Sequence, residues 1–578
     1  MNKSLVLKFA AAIVLYATTI NSSAQQRTIN QAADIAKKAL STEVANSRGT
    51  VSNRNSYQLK LVSGSTIELY MGQLSQRKGL DSDLPSFAMA DNQPFYVFSD
   101  DISRAFVIVA GDERMGDVLG YSTTSDFNTS QMSDGLVDLL RFYARTYASV
   151  SKKTPVIRHQ EQKQEPTWVG VAPMVKTRWG QDRPYNANCP MDGERHSLVG
   201  CAATAMAQVM KYHCWPMTGK GSYSYVTEDK HIEQSLDFSS ITFNWDNMDN
   251  NYYSNEEAPD VAILSHACGV SVAMNYTYNN SWAYALDIPY ALLNYFNYSK
   301  DIACYRKEFF TDEAWAAAIQ KELLNNRPFI LRGANEDDNN GHFFVVDGCD
   351  ITGRLHINWG WYGNNNGYFE INKIAINEYY DDYSYGQWAI LKISPYDLGE
   401  QEDVFFADSY TAEHVNDGII TTFTNVFNYT SNTCRKDPNT TFEGHLGTAI
   451  YNTSGEFLKM TGMQVSLKSN YGWFNLTRSI SDVNFDEGTY IIKPAVMNPK
   501  EGRLITPIRT LGGETDSLFV VKKNGVVSVM KELPTAIKTA HVTPKRKAAG
   551  TYTLNGQRIG NTDRRGLYIK DGKKTIIR

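Results

Sequence analysis

What this chain has little of narrows its function before any motif is read. Its seven cysteines (Cys189, Cys201, Cys214, Cys268, Cys304, Cys349 and Cys434) include no CxxC pair, so a zinc ribbon or a thioredoxin-like redox site has no support. No cysteine lies near residue 24, where a leader would be cut, which argues against a lipid-anchored N-terminus. No segment reaches the ~20 consecutive apolar residues of a membrane-spanning helix. Excess positive charge is also missing. A net charge of -5 over 578 residues argues against nucleic acid as the main partner. Neither a metal nor a cofactor is expected.

What remains is ordinary globular composition, 42% hydrophobic and 21% charged, enough for three or four cores. Lys3 and Lys8, an apolar stretch from Phe9 to Tyr16 and the small residues "SSA" read as a signal peptide over residues 1–24. The protein is therefore expected to be exported. In an exported chain, an odd number of cysteines leaves at least one thiol without an internal partner.

The texture changes along the chain. Residues 25–150 read as a small α/β region, with "INQAADIAKKAL" and "DGLVDLLRFYARTYASV" as amphipathic helices and "FYVFSD" and "AFVIVAGDE" as strands. The polar, aperiodic stretch of residues 151–170 reads as an exposed linker, the kind of segment proteases cut. Residues 171–395 form a longer, aromatic-rich region. Residues 400–532 alternate in short strands and are expected to be a β-sandwich. Residues 536–578 open on a basic linker and continue as a pair of hairpins with Asn-Gly and Asp-Gly turns. The basic residues of this tail, Lys573, Lys574 and Arg578, read as a solvated face.

The chemistry concentrates in the long region. "VGCAATAMAQVMKYH" predicts a helix that begins at Cys201, after Gly200. A thiol at a helix start lies in the positive end of the macrodipole, which favours thiolate. The same stretch also suits a cysteine that is only a small buried hydrophobe. A thiolate nucleophile needs a base, a group that orients the base, and oxyanion donors. His213 lies about 18 Å along the same helix and cannot reach. His266 and His356 sit in core segments with no obvious partner. His342 opens a buried strand, "HFFVV", after a polar loop. The hairpin beyond it returns through Asn358, sixteen residues on, expected within about one register step of His342. Its side chain there would accept from the imidazole and fix the tautomer. Trp359 and Trp361 would cover that bond. Gln181, twenty residues before Cys201, could donate to an oxyanion beside the Cys201 N–H.

In that order, "WGQDRPYN", "GCAATAMAQVMKYH", "GHFFVVDGCD" and "INWGWYGNNNGYF" resemble the motifs of streptopain-type cysteine peptidases, a papain-like group, over about 225 residues. "FYVFSDDISRAFVIVAGDERMGDVLGYS" looks like that family's inhibitory propeptide. The resemblance implies an α+β fold: a papain-like peptidase domain (171–395), preceded by an α/β propeptide (25–150) and a linker carrying the activation cut (151–170). A β-sandwich and a small β C-terminal domain follow, the latter similar to sorting domains of exported proteins in Bacteroidota. It further implies Cys201 as nucleophile, His342 as general base, Gln181 at the oxyanion, and Asn358 and Trp359 orienting or shielding the histidine. The partners implied are protein or peptide substrates, cut after an apolar-X sequence, and the chain's own propeptide as intramolecular inhibitor. Export machinery would act through the signal peptide and the C-terminal domain, placing the protein outside the cell or on its surface by way of the periplasm. The papain signature C-G-[SA]-C-[WY] is absent, and "NEYYDDYSYGQW" stands where a glycine-rich rim loop is otherwise associated with the family. Two other readings are a cell-wall amidase, which casein against peptidoglycan would separate, and a surface binding protein with a decayed peptidase domain.

Overall fold

The computed structural model describes residues 26–46, 57–78, 93–151, 168–253, 256–334, 341–371, 386–430, 441–468, 472–473, 475–499, 503–513 and 517–533, with short strands between 551 and 577. The signal peptide, most of the linker (152–167), the loop before His342, the "NEYYDDYSYGQW" segment up to Tyr385, Cys434 and the Asn-Gly and Asp-Gly turns of the tail lie outside them.

One antiparallel sheet of ten strands runs through the first two regions without a break. Its order from one edge is Lys60–Leu61, Phe95–Asp100, Ala105–Ala110, Val118–Ser122, Gly367–Phe369, Leu355–Asn358, Gly341–Cys349, Phe329–Ala334, Trp388–Leu391 and Ala303–Arg306. The apolar runs "FYVF", "AFVIVA" and "HFFVV" lack alternation because both faces of the sheet are covered. Helix Ile29–Asn46 closes one face of the N-terminal strands in a small core of its own, over Tyr96, Phe98, Val107 and Val109. Helix Asp134–Ser151 closes the other face, and its Leu136, Leu140 and Tyr143 belong to the core of the long region. Three helices pack against the strand of His342: Asp134–Ser151, Cys201–His213 and Asp312–Leu324.

The seam between the two regions is a strand pair, Tyr121 opposite Tyr368 and Gly120 opposite Phe369. The two tyrosine rings stack at 5.0 Å. The Tyr143 hydroxyl meets the carbonyls of Leu119 (2.9 Å) and Glu370 (2.8 Å), one from each side of the seam. Beyond the linker, the chain is clipped to the long region at once. Val171 and Cys349 exchange both backbone bonds, at 2.7 and 2.9 Å, and the Val175 N–H donates to Asp347 Oδ2 at 2.7 Å.

Residues 405–530 form three sheets around a second core of Phe405, Phe423, Ile450, Val496 and Val520 among others, the alternating strands turning one side inward. This β-domain is docked on the edge of the large sheet opposite the N-terminal region. Phe406 stacks on Phe309 with centroids 4.4 Å apart and planes 13° apart, and Arg509 lies 4.2 Å over the Phe310 ring. The Arg306 guanidinium donates to the Tyr429 hydroxyl at 3.1 Å. Phe406→Ala is expected to destabilise the protein by about 3–5 kcal/mol, the range for truncating a buried phenylalanine. Chemical denaturation followed by tryptophan fluorescence checks it; a loss under about 1 kcal/mol would mean that the joint is not part of the folding unit. A four-stranded antiparallel sheet, Arg558–Ile559, Thr551–Tyr552, Gly566–Lys570 and Lys573–Ile577, ends the chain. Among the described residues, no helix is long and apolar enough to cross a membrane.

Candidate active site

The helix Cys201–His213 starts where the sequence reading placed it. Gly200 ahead of it has φ +88°, a conformation that calls for glycine, and a Cβ there would also push the flexible end of Met274, 2.6 Å away. Ala202, Ala203, Ala205 and Ala207 are buried, which lets the helix lie close against the strand of His342. Cys201 is half-buried and His342 is buried, and the two side chains are close enough for each to shift the other's titration.

Their electrostatics are opposed and matched. Burial works against the Cys201 thiolate, yet the charge of His342, its hydrogen bond and the Phe343 N–H together hold the thiol below its ordinary value. Burial likewise works against the His342 cation, but the charge and hydrogen bond of Cys201, the charge of Asp134 and the Trp359 carbonyl raise it above the ordinary histidine value. Each group thus favours the charged form of the other, thiolate on one side and imidazolium on the other. Elsewhere burial acts alone or nearly so: it pushes the Cys189 and Cys304 thiols up to about 12 and Cys349 to about 11. All six described cysteines are free.

The orientation of His342 differs from the expectation. Asn358 pairs with Val345, three residues beyond His342, rather than within one register step of it. Its side chain is committed elsewhere: Nδ2 donates to the Thr177 carbonyl (2.8 Å) and Gln208 Oε1 (3.1 Å), and Oδ1 accepts from the Gly360 N–H (3.1 Å). The group that holds the imidazole is the main-chain carbonyl of Trp359, 3.1 Å from Nε2. A carbonyl only accepts, so Nε2 carries the proton and Nδ1 is left for the thiol. The Trp359 side chain is fully buried against Phe344 (5.0 Å) and Phe369 (5.3 Å), and its indole N–H donates to the Asn365 carbonyl at 3.2 Å. Trp361 is only half-buried. Gln181 is buried, its carbonyl accepting from Val199 at 2.8 Å, which sets it beside the start of the cysteine helix. His356, expected to lack a partner, pairs through Nδ1 with Asp347 Oδ1 at 2.6 Å, and His266 bonds Gln234 at 3.2 Å.

Three contributions were not read from the sequence. Asn366 Oδ1 accepts from the Trp359 N–H at 3.1 Å. Asn365 grips the N-terminal region: its Oδ1 accepts from the Asn128 N–H (2.8 Å), its Nδ2 donates to the carbonyls of Asn128 and Gln131 (both 3.1 Å), and its N–H donates to Ser125 Oγ (3.0 Å). Finally, the Ser133 hydroxyl accepts from the Leu136 N–H, and the helix start so formed carries Asp134 and Gly135 to the cysteine–histidine pair. A Cβ on Gly135 would lie 2.7 Å from His342 Cδ2 and 2.9 Å from Trp359 Cζ3. The run "GNNNG" and the "SDG" before a helix were the signals available for these contacts. Among the described residues, no cluster of three or more histidine, cysteine or acidic side chains is arranged to hold a metal ion.

The peptidase C10 family matches residues 179–369, and the Spi protease inhibitor family matches residues 81–147. The thiol protease/hemagglutinin PrtT of Porphyromonas gingivalis is 32% identical over 297 residues, which are 48% of this chain and 34% of PrtT. The chain thus matches about a third of the length of that relative (34%). Streptopain of Streptococcus pyogenes is 30% identical over 301 residues, 46% of this chain and 72% of streptopain. Among solved structures, a prointerpain A fragment of Prevotella intermedia is 28% identical, covering 52% of this chain and 96% of that one, with a TM-score of 0.45. Active interpain A from the same organism is 32% identical, covering 41% of this chain and all (100%) of its own, with a TM-score of 0.36.

Proposed function

From the premise that the chain belongs to the peptidase C10 family, we propose that it is an exported cysteine endopeptidase made as a self-processed zymogen. The observation that carries this reading is the Cys201–His342 pair, the thiol lowered and the imidazole raised by each other. Cys201 attacks the scissile carbonyl as thiolate, and His342 gives its proton to the leaving amine. The acyl-enzyme is then cleaved by water, from which His342 takes the proton. Gln181 and the Cys201 N–H receive the oxyanion. The Trp359 carbonyl holds the imidazole, and Asn358 holds the turn that carries Trp359. Substrates are proteins and peptides with an apolar residue one place before the scissile one.

The domains divide the work. Residues 25–150 are the propeptide, whose helix start at Gly135 closes one side of His342 and Trp359 and whose Ser125–Gln131 segment is gripped by Asn365. A cut within residues 151–170 releases it, while the chain from Val171 stays clipped to Cys349. The signal peptide and the C-terminal sheet serve export to the cell surface or beyond.

Alkylation of Cys201 by iodoacetamide, followed by mass spectrometry across pH, tests the central claim. Reactivity is expected to persist well below pH ~8.5, where an ordinary thiol protonates. It falls at low pH as the thiolate takes a proton, and hydrolysis falls at high pH as His342 loses its own. A profile that follows an ordinary thiol, or casein left intact after the propeptide is lost, would leave the decayed binding protein or the amidase as the better reading.

A further inference from the structure

Gln208 lies two turns after Cys201 on the same helix, roughly 10 Å along its axis. It is fully buried, and an amide there is destabilising unless it is bonded. Its Oε1 accepts three donors: Thr177 Oγ1 at 3.0 Å, the Trp179 N–H at 3.4 Å and Asn358 Nδ2 at 3.1 Å. The three donors come from two other parts of the site. Thr177 and Trp179 lie on the segment that runs, two residues later, into Gln181. Asn358 braces the turn through the Gly360 N–H, and between those two residues stands Trp359, whose carbonyl holds His342. The helix itself carries Cys201. Gly360 permits this closeness: at φ +66°, a Cβ would lie 3.0 Å from Thr204 Cγ2 and 3.8 Å from Gln208 Nε2. Nε2 makes no hydrogen bond among the described residues, so the oxygen is the part of Gln208 that joins the elements.

Resting on the peptidase reading, we propose that Gln208 is a positioning residue. One buried carbonyl oxygen sets the thiol helix, the oxyanion segment and the imidazole-holding turn at their working separation. Without that acceptor, three buried donors must move to find others. The Trp359 carbonyl moves with Asn358, and the imidazole moves with it. A displacement of about 1 Å at such a place lowers turnover on the order of 100-fold.

The test compares Gln208→Met, which removes the acceptor, with Gln208→Glu, which keeps one, in the self-processed enzyme at concentrations fixed by titration of the active cysteine. For Gln208→Met, kcat is expected to fall on the order of 100-fold with KM little changed. The acid limb of Cys201 alkylation should move to higher pH, because a displaced imidazolium supports the thiolate less. Gln208→Glu should regain most of the loss. A role in folding alone would lower the yield of titratable enzyme and leave kcat and the alkylation profile of what remains at wild-type values, and that result would overturn the proposal. Equal losses in both variants would also overturn it. Should Gln208→Met fail to fold, Thr177→Val removes one of the three donors, and an unmoved alkylation limb there decides against the proposal. A wild-type chain with no reactive Cys201 would instead defeat the peptidase reading, and this one with it.

Discussion

Cys201→Ala is expected to abolish peptide hydrolysis, by at least about 10⁴-fold, while the protein folds as before. Among the other described cysteines, Cys189, Cys304 and Cys349 are buried thiols held well above their ordinary range, and Cys214 follows the far end of the Cys201 helix, roughly 20 Å along its axis. Folding should hardly notice the change. Alanine is the better helix former, it extends the existing run of Ala202 and Ala203, and a small residue replaces another. His342 loses the charge and the hydrogen bond of Cys201 that raised it, so its pKa is expected to fall, while Nε2–H still donates to the Trp359 carbonyl. The variant should accumulate as full-length precursor, and added active enzyme should trim it between residues 151 and 170. Hydrolysis of casein, precursor length on a gel and the imidazole shift in NMR read the three consequences. Wild-type activity in Cys201→Ala would remove the mechanism outright.

Gly135→Val is expected to loosen the proposed propeptide and so to speed maturation of the precursor. Its first added carbon would stand 2.7 Å from His342 Cδ2 and 2.9 Å from Trp359 Cζ3, below any normal contact. Neither neighbour can retreat. Trp359 is fully buried between Phe344 and Phe369, and His342 is tied to Cys201 and to the Trp359 carbonyl. The helix must back away instead, and with it the Ser133 cap and the contacts that follow. Overpacking of this kind is destabilising by about 1–3 kcal/mol, which corresponds to a propeptide held roughly 5–150-fold more weakly. The rate at which precursor disappears, read against the Cys201→Ala, Gly135→Val double variant for stability, measures it. Maturation at the wild-type rate would show that this contact does not restrain the enzyme.

Much of this protein is legible in its residues taken in order. Strand and helix periodicity, the glycine before Cys201, the order Gln181, Cys201, His342, Asn358 and the polar stretch ahead of Val171 are all local, and local patterns answer to local physics. The tertiary structure decided what depends on residues far apart. Asn358 was the plausible partner for His342 because its side chain is polar, and only the register, with Val345 opposite it, turned that side chain towards Gln208. The carbonyl that took its place belongs to Trp359, and a main-chain carbonyl is present at every residue, so no letter of the sequence marks it. The same holds for the ten-stranded sheet, in which Tyr121 meets Tyr368 across 247 positions of chain, and for Gly135, whose missing side chain is meaningful only once the helix start lies on an imidazole. Long-range pairing selects among groups that are chemically alike, and it does so by the space and backbone bonds left to each when the cores close.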